Sequence, residues 1–409
     1  MAPFPLIVTD FFGRYGGYLV YLLIGFAFGY VLEISGFGNS KKLAAQFYFK
    51  DMTVLKVMFT AIVVAMVLIF MASAVGLLDY NLLWVNPTYL WPGIVGGLIM
   101  GIGFIIGGFC PGTSLVSAAT LKIDGFFFVF GVIFGIFLFG ETVDFFDIFW
   151  NSSYMGRFTI PDWLGLSTGV VVLGVVLMAL FMFLGAEQLE RIFGKKEPKK
   201  APKVRFVGAG VLLLAGIVLI FIGQPSFVDR WDKIADEKEV LLEERAVYIH
   251  PAELLDTMHD HKLNLVMIDV RDEADYNLYH IADSNRSNPD EINDLIPEFH
   301  LEPANTVFVL MSNDETAATE AWKVFIAESV PNVYILEGGI NNWLAVFGTE
   351  EASIVTLQES PNDQLRFDFA AALGGSYQSA DPDPHEYELE YIPKIKLELK
   401  RAPSSGGCG

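Results

Sequence analysis

Six long apolar runs fill the first 224 residues, at about 17–34, 53–75, 93–108, 125–140, 167–185 and 206–223. No other feature narrows the fold as far. Hydrocarbon offers no hydrogen-bond partner to a peptide group, so runs of this length and separation predict membrane-spanning helices. The third and fourth runs are short and interrupted by glycine, among them Gly97, Gly101, Gly131 and Gly135. Two readings fit such spans: discontinuous helices at a transport site, or close helix packing through small residues.

Charge divides the chain in the same place. Residues 1–224 hold 12 acidic and 14 basic side chains, whereas residues 225–409 hold 36 and 13, a balance of −23. The second half therefore reads as a soluble acidic domain, and without a basic stripe nucleic acid is not an expected partner. All six histidines lie beyond residue 249 and the chain has two cysteines, Cys110 and Cys408. That composition excludes a disulfide framework and a four-cysteine zinc site, and neither metal nor cofactor is expected. The opening MAPFPLIVTDFFGRYGG lacks a basic stretch followed by a cleavage site, so no cleavable leader is expected. Basic residues concentrate in alternate connections. Residues 35–52, 109–124 and 186–205 carry eleven, and the other set carries only Arg14 and Arg157. The positive-inside rule places the first set in the cytoplasm. Six spans then put the soluble domain outside the inner membrane, in the periplasm of a Gram-negative cell.

A shift of 72 residues lays GFAFGYVLEISGFGNSKKL (25–43) on GLIMGIGFIIGGFCPGTSL (97–115). Gly25, Gly29, Gly36, Phe37 and Leu43 then fall on Gly97, Gly101, Gly108, Phe109 and Leu115, and Gly38 falls on Cys110. Each unit is followed by an aspartate, Asp51 or Asp124, and another apolar run. An internal repeat of two broken helices is the expectation, one presenting bare backbone and the other a thiol. Glycines permit unusual dihedrals, and Pro111 interrupts one helix or begins the next. Beyond it, the N–H groups and hydroxyls of Gly112, Thr113 and Ser114 are expected to face an anion at a helix N-terminus. A thiol at Cys110 is soft and polarizable and suits a sulfur-bearing anion; alternatively it is a small buried apolar group. Glu33, late in the first run, sits where carboxylates are costly and often functional. Lys122 and Asp124 are expected to pair or to be solvated.

The segments GGFCPGTSLVSAAT and GFGNSKKLAAQFYFKDMTVLKVMFTAIVVAM resemble the YeeE/YedE sulfur-transport family, over roughly residues 15–187. The resemblance implies thiosulfate uptake, with Cys110 hydrogen-bonding the passing sulfur anion or briefly handling its sulfane sulfur. Two departures stand out. The longer transporters of that family place cysteines at several levels, whereas Gly38 replaces one here, and this chain is shorter. A complete path then calls for a second copy of the chain or another subunit.

In the acidic half, LVMIDV (265–270) and TVFVLM (306–311) read as strands, ETAATEAWKVFIAE as a helix, and NVYILEGGINNWLAVF as strand, turn and helix. That alternation predicts an α/β domain with a mainly parallel sheet. IDVRDEADY, HIADS and YILEGGINNW resemble a rhodanese domain, over about 247–348. Active members carry a cysteine after the central strand, opening a loop that cradles an anion, where a thiolate attacks sulfane sulfur. Here Met311 takes that place, followed by Ser312, Asn313 and Asp314, and Asp314 with Glu315 makes the loop acidic. The resemblance therefore implies a catalytically inactive rhodanese fold, a pseudoenzyme that binds or docks, with Asp269 and Arg271 in a structural role.

The last residues alternate in YELEYIPKIKLELK, suggesting an edge strand limited by Pro393, and end in SSGGCG. That ending resembles the glycine–glycine–cysteine arm of the carrier protein of periplasmic thiosulfate oxidation, which would make Cys408 a sulfur carrier on a flexible arm. The expected layout is a polytopic α-helical membrane domain over 1–224, with broken or re-entrant helices and an internal repeat. A linker at 225–246, an α/β rhodanese-like domain at 247–348 and an extension with a flexible tail at 349–409 follow. Two functions compete. One is a conduit for thiosulfate or a related sulfur anion through a constriction at Cys110, alone or as a homo-oligomer. The other is a membrane-anchored accessory subunit that docks a sulfur-carrier protein or a sulfur-oxidising or respiratory complex.

Overall fold

The computed structural model describes residues 2–6, 8–195, 203–289, 291–348, 353–354, 363–388 and 390–398. The chain divides into two compact units between Gln224 and Pro225.

Six apolar helical segments of the first unit are long enough to cross a membrane, with mean hydropathy from 1.7 to 2.7. The first is α1 (Val8–Ile34), which gives way to a short α2 (Ser40–Ala44) and then α3 (Thr53–Ala74). α4 (Leu90–Gly107) is followed after three residues by α5 (Pro111–Ala119), and the two make up the third span. α6 (Ile123–Thr142), α7 (Thr168–Ile192) and α8 (Lys203–Ile222) supply the rest. Val63 and Val67 of α3, Val172, Val176 and Ala179 of α7 and Leu219 of α8 bury one another in an apolar core. α1, α4 and α6 keep most of their apolar surface exposed, as helices do whose neighbours are lipid tails or other membrane subunits.

The second unit is a five-stranded parallel sheet in the order β1-β5-β4-β2-β3. Its strands are β1 (Tyr248–Ile249), β2 (Asn264–Asp269), β3 (Asn285–Arg286), β4 (Thr306–Met311) and β5 (Val333–Leu336). β4 is central and every residue in it is buried, as expected where helices cover both faces of a parallel sheet. Val307, Val309 and Met311 point into one core with Trp343; Phe308 and Leu310 point into the other with Trp322.

The fold gives structure to two stretches that flank the sheet. Residues 225–246 are not a bare linker. They contain helix α9 (Phe227–Glu243), capped by Ser226, with Ile234 buried, Trp231 edge-on to Trp322 and Arg230 paired with Glu328. Its apolar side is what makes it dock: a free linker has no reason to space Trp231, Ile234, Leu241 and Leu242 on one face. The extension after 349 packs on the domain in part. Phe369 and Ala380 belong to the core with Trp343, and the carbonyl of Ser379 accepts from both Tyr279 Oη (2.9 Å) and Trp343 Nε1 (2.8 Å). The alternating stretch near Pro393 lies beside the sheet without forming a strand. Side chains hold it instead: Glu253 accepts from the amides of Lys394 and Ile395, and Asn332 accepts from that of Glu398.

Candidate functional site

The two broken helices share one construction. α1 ends at Ile34, Gly36 turns left-handed (φ 82°), Phe37 is buried, and Asn39 caps α2 through its side chain. α4 ends at Gly107, Gly108 turns left-handed (φ 71°), Phe109 is buried, and Cys110 caps α5. A left-handed residue after the last turn satisfies the free carbonyls of a helix end, and only glycine takes that conformation cheaply. Phe37 and Phe109 then meet in one small core with Leu43 and Val54. Gly108 packs so closely that a Cβ there would sit 3.0 Å from the carbonyl oxygen of Ser40. The breaks therefore converge, and the glycine–phenylalanine pairs of the repeat are what bring them together.

Cys110 is a free, half-buried thiol in the N-cap position of α5. Its sulfur accepts from Thr113 N (3.5 Å) and lies 3.3 Å from Thr113 Oγ1, while its own N–H donates to Thr113 Oγ1 (3.0 Å). Pro111 occupies the first helical position, where its missing N–H is not needed. The hydroxyls of Thr113 and Ser114 do not face outward as expected. Both residues are buried, and their hydroxyls donate back to the carbonyls of Cys110 (3.2 Å) and Pro111 (2.7 Å). They orient the thiol and the turn, and the residues left half-buried at this end of α5 are Cys110, Pro111 and Gly112.

Charges gather around the first break. Lys122 Nζ lies 3.0 Å from Glu33 Oε1, and Gly38 is packed against both groups, with no room for a Cβ. Glu33 Oε2 is buried without a hydrogen-bond partner. Asp124 accepts from Ser40 Oγ (2.8 Å). Lys122 and Asp124 thus do not pair with each other; each reaches across to the first unit of the repeat. Sequence spacing of two residues suggested the wrong partners, because the true ones are 84 and 89 positions away.

In the second unit the loop after β4 begins at Ser312. Met311 is the last residue of β4 and its side chain lies in the apolar core. The first side chain of the loop is Ser312, fully buried, whose Oγ accepts from Ala318 N (3.2 Å) in helix α10 (Thr316–Ala327). Neither position offers a thiol. The glycine pair of the next turn presses on the loop. Gly339, left-handed at φ 61° and first residue of α11 (Gly339–Phe347), leaves no room for a Cβ against the carbonyls of Ser312 and Asp314. The amides of Ile340 and Asn341 donate to the carbonyls of Ser312 and Asn313. Arg271 is wholly buried, bound to Asp269, to the carbonyl of Tyr279 and to Asn313 Oδ1 (3.2 Å).

A segment from the extension lies on this loop, a feature the sequence did not announce. Asp314 N donates to Asp363 Oδ1 (2.9 Å), and Asp363 N donates to Asp314 Oδ2 (2.9 Å). Asn313 Nδ2 donates to the carbonyl of Asp363, and Asn341 holds Gln364 and Arg366 on either side. Burial raises the Asp363 carboxyl above its usual range, and its neighbour Asp314 adds to the shift. Burial also acts on Asp314, but the amides of Thr316 and Asp363 outweigh it and hold that carboxyl below its usual range. Cys408 lies outside the described residues.

A family model described as sulphur transport matches residues 35–230, and a model of the rhodanese-like domain matches residues 250–346. Neither the curated proteins nor the solved structures contain a match.

Proposed function

We propose, on the premise that the chain is a sulphur-transport membrane domain fused to a rhodanese-like domain, that it passes thiosulfate or a closely related sulfur anion through a constriction at Cys110. The observation that carries the reading is the half-buried thiol at the N-cap of α5, held by Thr113 beside the converging breaks. A helix N-terminus favours negative charge. The sulfur accepts from the Thr113 amide, and its S–H, turned toward Thr113 Oγ1 in the resting site, swings to a passing anion that offers a stronger acceptor. A thiol is a weak donor and strips little water, so the anion is recognised without being trapped.

The basic connections orient the six spans so that the soluble unit faces the periplasm, with the membrane unit in the inner membrane. The soluble unit serves as a binding or docking module without sulfur-transfer chemistry, since neither Met311 at the end of β4 nor Ser312 at the start of its loop is a cysteine. A second copy of the chain completes the path on the exposed apolar sides of α1, α4 and α6.

Uptake of labelled thiosulfate into proteoliposomes tests this. Wild type is expected to accumulate label, Cys110→Ala to lose most of it, and Cys110→Ser to retain a part. Folded wild-type protein that takes up nothing would overturn the conduit and favour the accessory-subunit alternative.

A further inference from the structure

We propose that Lys122 is a second anion-binding group of the path, and that Glu33 is its resident counter-ion, which a passing oxyanion replaces. This rests on the conduit reading and deepens it, at the repeat position that carries no thiol. The 72-residue shift sets Gly38 on Cys110. Both breaks turn through a left-handed glycine, Gly36 or Gly108, and bury the phenylalanine after it, so the position beyond each phenylalanine is comparable. At the second break that position holds the Cys110 thiol. At the first, the space a side chain would fill is already taken. A Cβ built on Gly38 would stand 2.9 Å from Lys122 Nζ and overlap Glu33 Oε2. The chain has thus put an ammonium from the N-cap of α6 and a carboxylate from the end of α1 where the repeat has a thiol.

The pair is built to come apart. Among the described residues Glu33 holds Lys122 through one oxygen, Oε1, at 3.0 Å. Its other oxygen, Oε2, is buried with no hydrogen-bond partner. A carboxylate oxygen left in that state costs free energy, so Glu33 gains little by staying. The Lys122 side chain is 37% exposed, and a partly exposed ion pair of this kind is weak. An ammonium has three N–H donors and this one gives a single bond to Glu33. An oxyanion with several oxygens engages more of them at once. The other charged groups at the break have partners of their own. Lys42 Nζ donates to the carbonyl of Ser35 (2.6 Å). Asp124 accepts from Ser40 Oγ (2.8 Å) and from Gly125 N (3.0 Å), which also covers the N-terminus of α6. An anion arriving here therefore meets the ammonium and not a bare helix end. An ammonium reads charge and oxygen as a point charge, and the softer thiol of Cys110 reads sulfur; the two breaks divide the recognition of a sulfur oxyanion between them.

Titration calorimetry of thiosulfate into the full-length protein in detergent, at one pH and one ionic strength, tests the assignment. Glu33→Gln removes the competing charge and is expected to tighten binding about two- to fivefold, the worth of a partly exposed ion pair. Lys122→Gln is expected to weaken it about tenfold or more, the worth of a charge-assisted hydrogen bond. The double variant should stay weaker than wild type. A pair with a structural role alone gives a different pattern, in which each single substitution weakens binding and the double restores it. That pattern, an unchanged affinity in Lys122→Gln, no tightening in Glu33→Gln, or no binding by either wild type or Glu33→Gln would each overturn the proposal. If Lys122→Gln does not hold its fold, the Glu33→Gln result decides alone. Binding and uptake are separate readouts, so the two readings fail separately. Binding that shifts as stated in a protein that takes up nothing sinks the conduit and leaves the anion site. Uptake lost in Cys110→Ala, with binding blind to Lys122 and Glu33, does the reverse.

Discussion

Gly108→Ala separates a conformational glycine from the many that merely leave space. Two costs add at this position. The left-handed backbone at φ 71° penalises any residue with a Cβ by about 1–2 kcal/mol. The new methyl would also stand 3.0 Å from the Ser40 carbonyl oxygen and 3.1 Å from Ser40 Cβ, and forcing an atom into packed surroundings costs about 1–3 kcal/mol. The sum is roughly 2–5 kcal/mol, and the backbone atom it strikes belongs to the other broken helix. Gly101, in the middle of α4, is the control. It is helical and nothing lies within 4 Å of a Cβ built there, so alanine should be neutral or stabilise by about 0.5–1 kcal/mol. Thermal unfolding in one detergent should rank the proteins Gly101→Ala, wild type, Gly108→Ala, with the last several degrees below the others. Modification of Cys110 by a thiol reagent, in a Cys408→Ser background, should be faster in Gly108→Ala, because the turn that positions the N-cap has moved. Equal midpoints and equal thiol reactivity for the two alanine variants would refute the claim that Gly108 joins the breaks.

Two further outcomes follow from the soluble unit. Met311→Cys is expected to leave thiosulfate sulfurtransferase activity at background, because residue 311 faces the core and not the loop; turnover above background by the purified variant would show that the side chain reaches the loop after all. The fastening of Asp363 on Asp314 should also vary with pH. The Asp314 carboxyl is held below its ordinary 3.8, so its contribution is present above that value and is lost as pH falls through the depressed one. The Asp363 carboxyl is raised, so its contribution is full below 3.8 and is lost as pH rises through the raised value. Protection of the loop amides, corrected for intrinsic exchange, should therefore peak in mild acid between the two. Protection that climbs steadily toward neutral pH would contradict those directions.

Much of the architecture was legible because it rests on periodicity and composition. Apolar length alone predicts the six spans, since a helix satisfies every backbone hydrogen bond within one run of that length. The two breaks were visible as a repeat, since Gly36–Phe37 and Gly108–Phe109 recur 72 residues apart and such turns demand glycine. The parallel sheet followed from strands alternating with helices. Cys110 stood out because a cysteine beside a proline in an apolar run has few bland neighbours.

Partners were a different matter. Which charge Lys122 meets depends on where the chain has carried Glu33, and the adjacent Asp124 was a misleading guide. The direction of the Thr113 and Ser114 hydroxyls depends on the backbone carbonyls one turn back, which claim them before any ligand can. The side chains at the end of β4 also depended on the fold: strand alternation sends Met311 into the core, and Ser312 follows it at the turn. Asp363 gave no sequence signal at all. It sits among polar residues typical of a solvated extension, and only folding delivers it to Asp314. The sequence by itself determined the elements and the places where they must break, because those follow from local backbone chemistry and hydrophobic period. The tertiary structure decided which groups meet, because a hydrogen bond or an ion pair is set by distance in space, and distance along the chain says little about it.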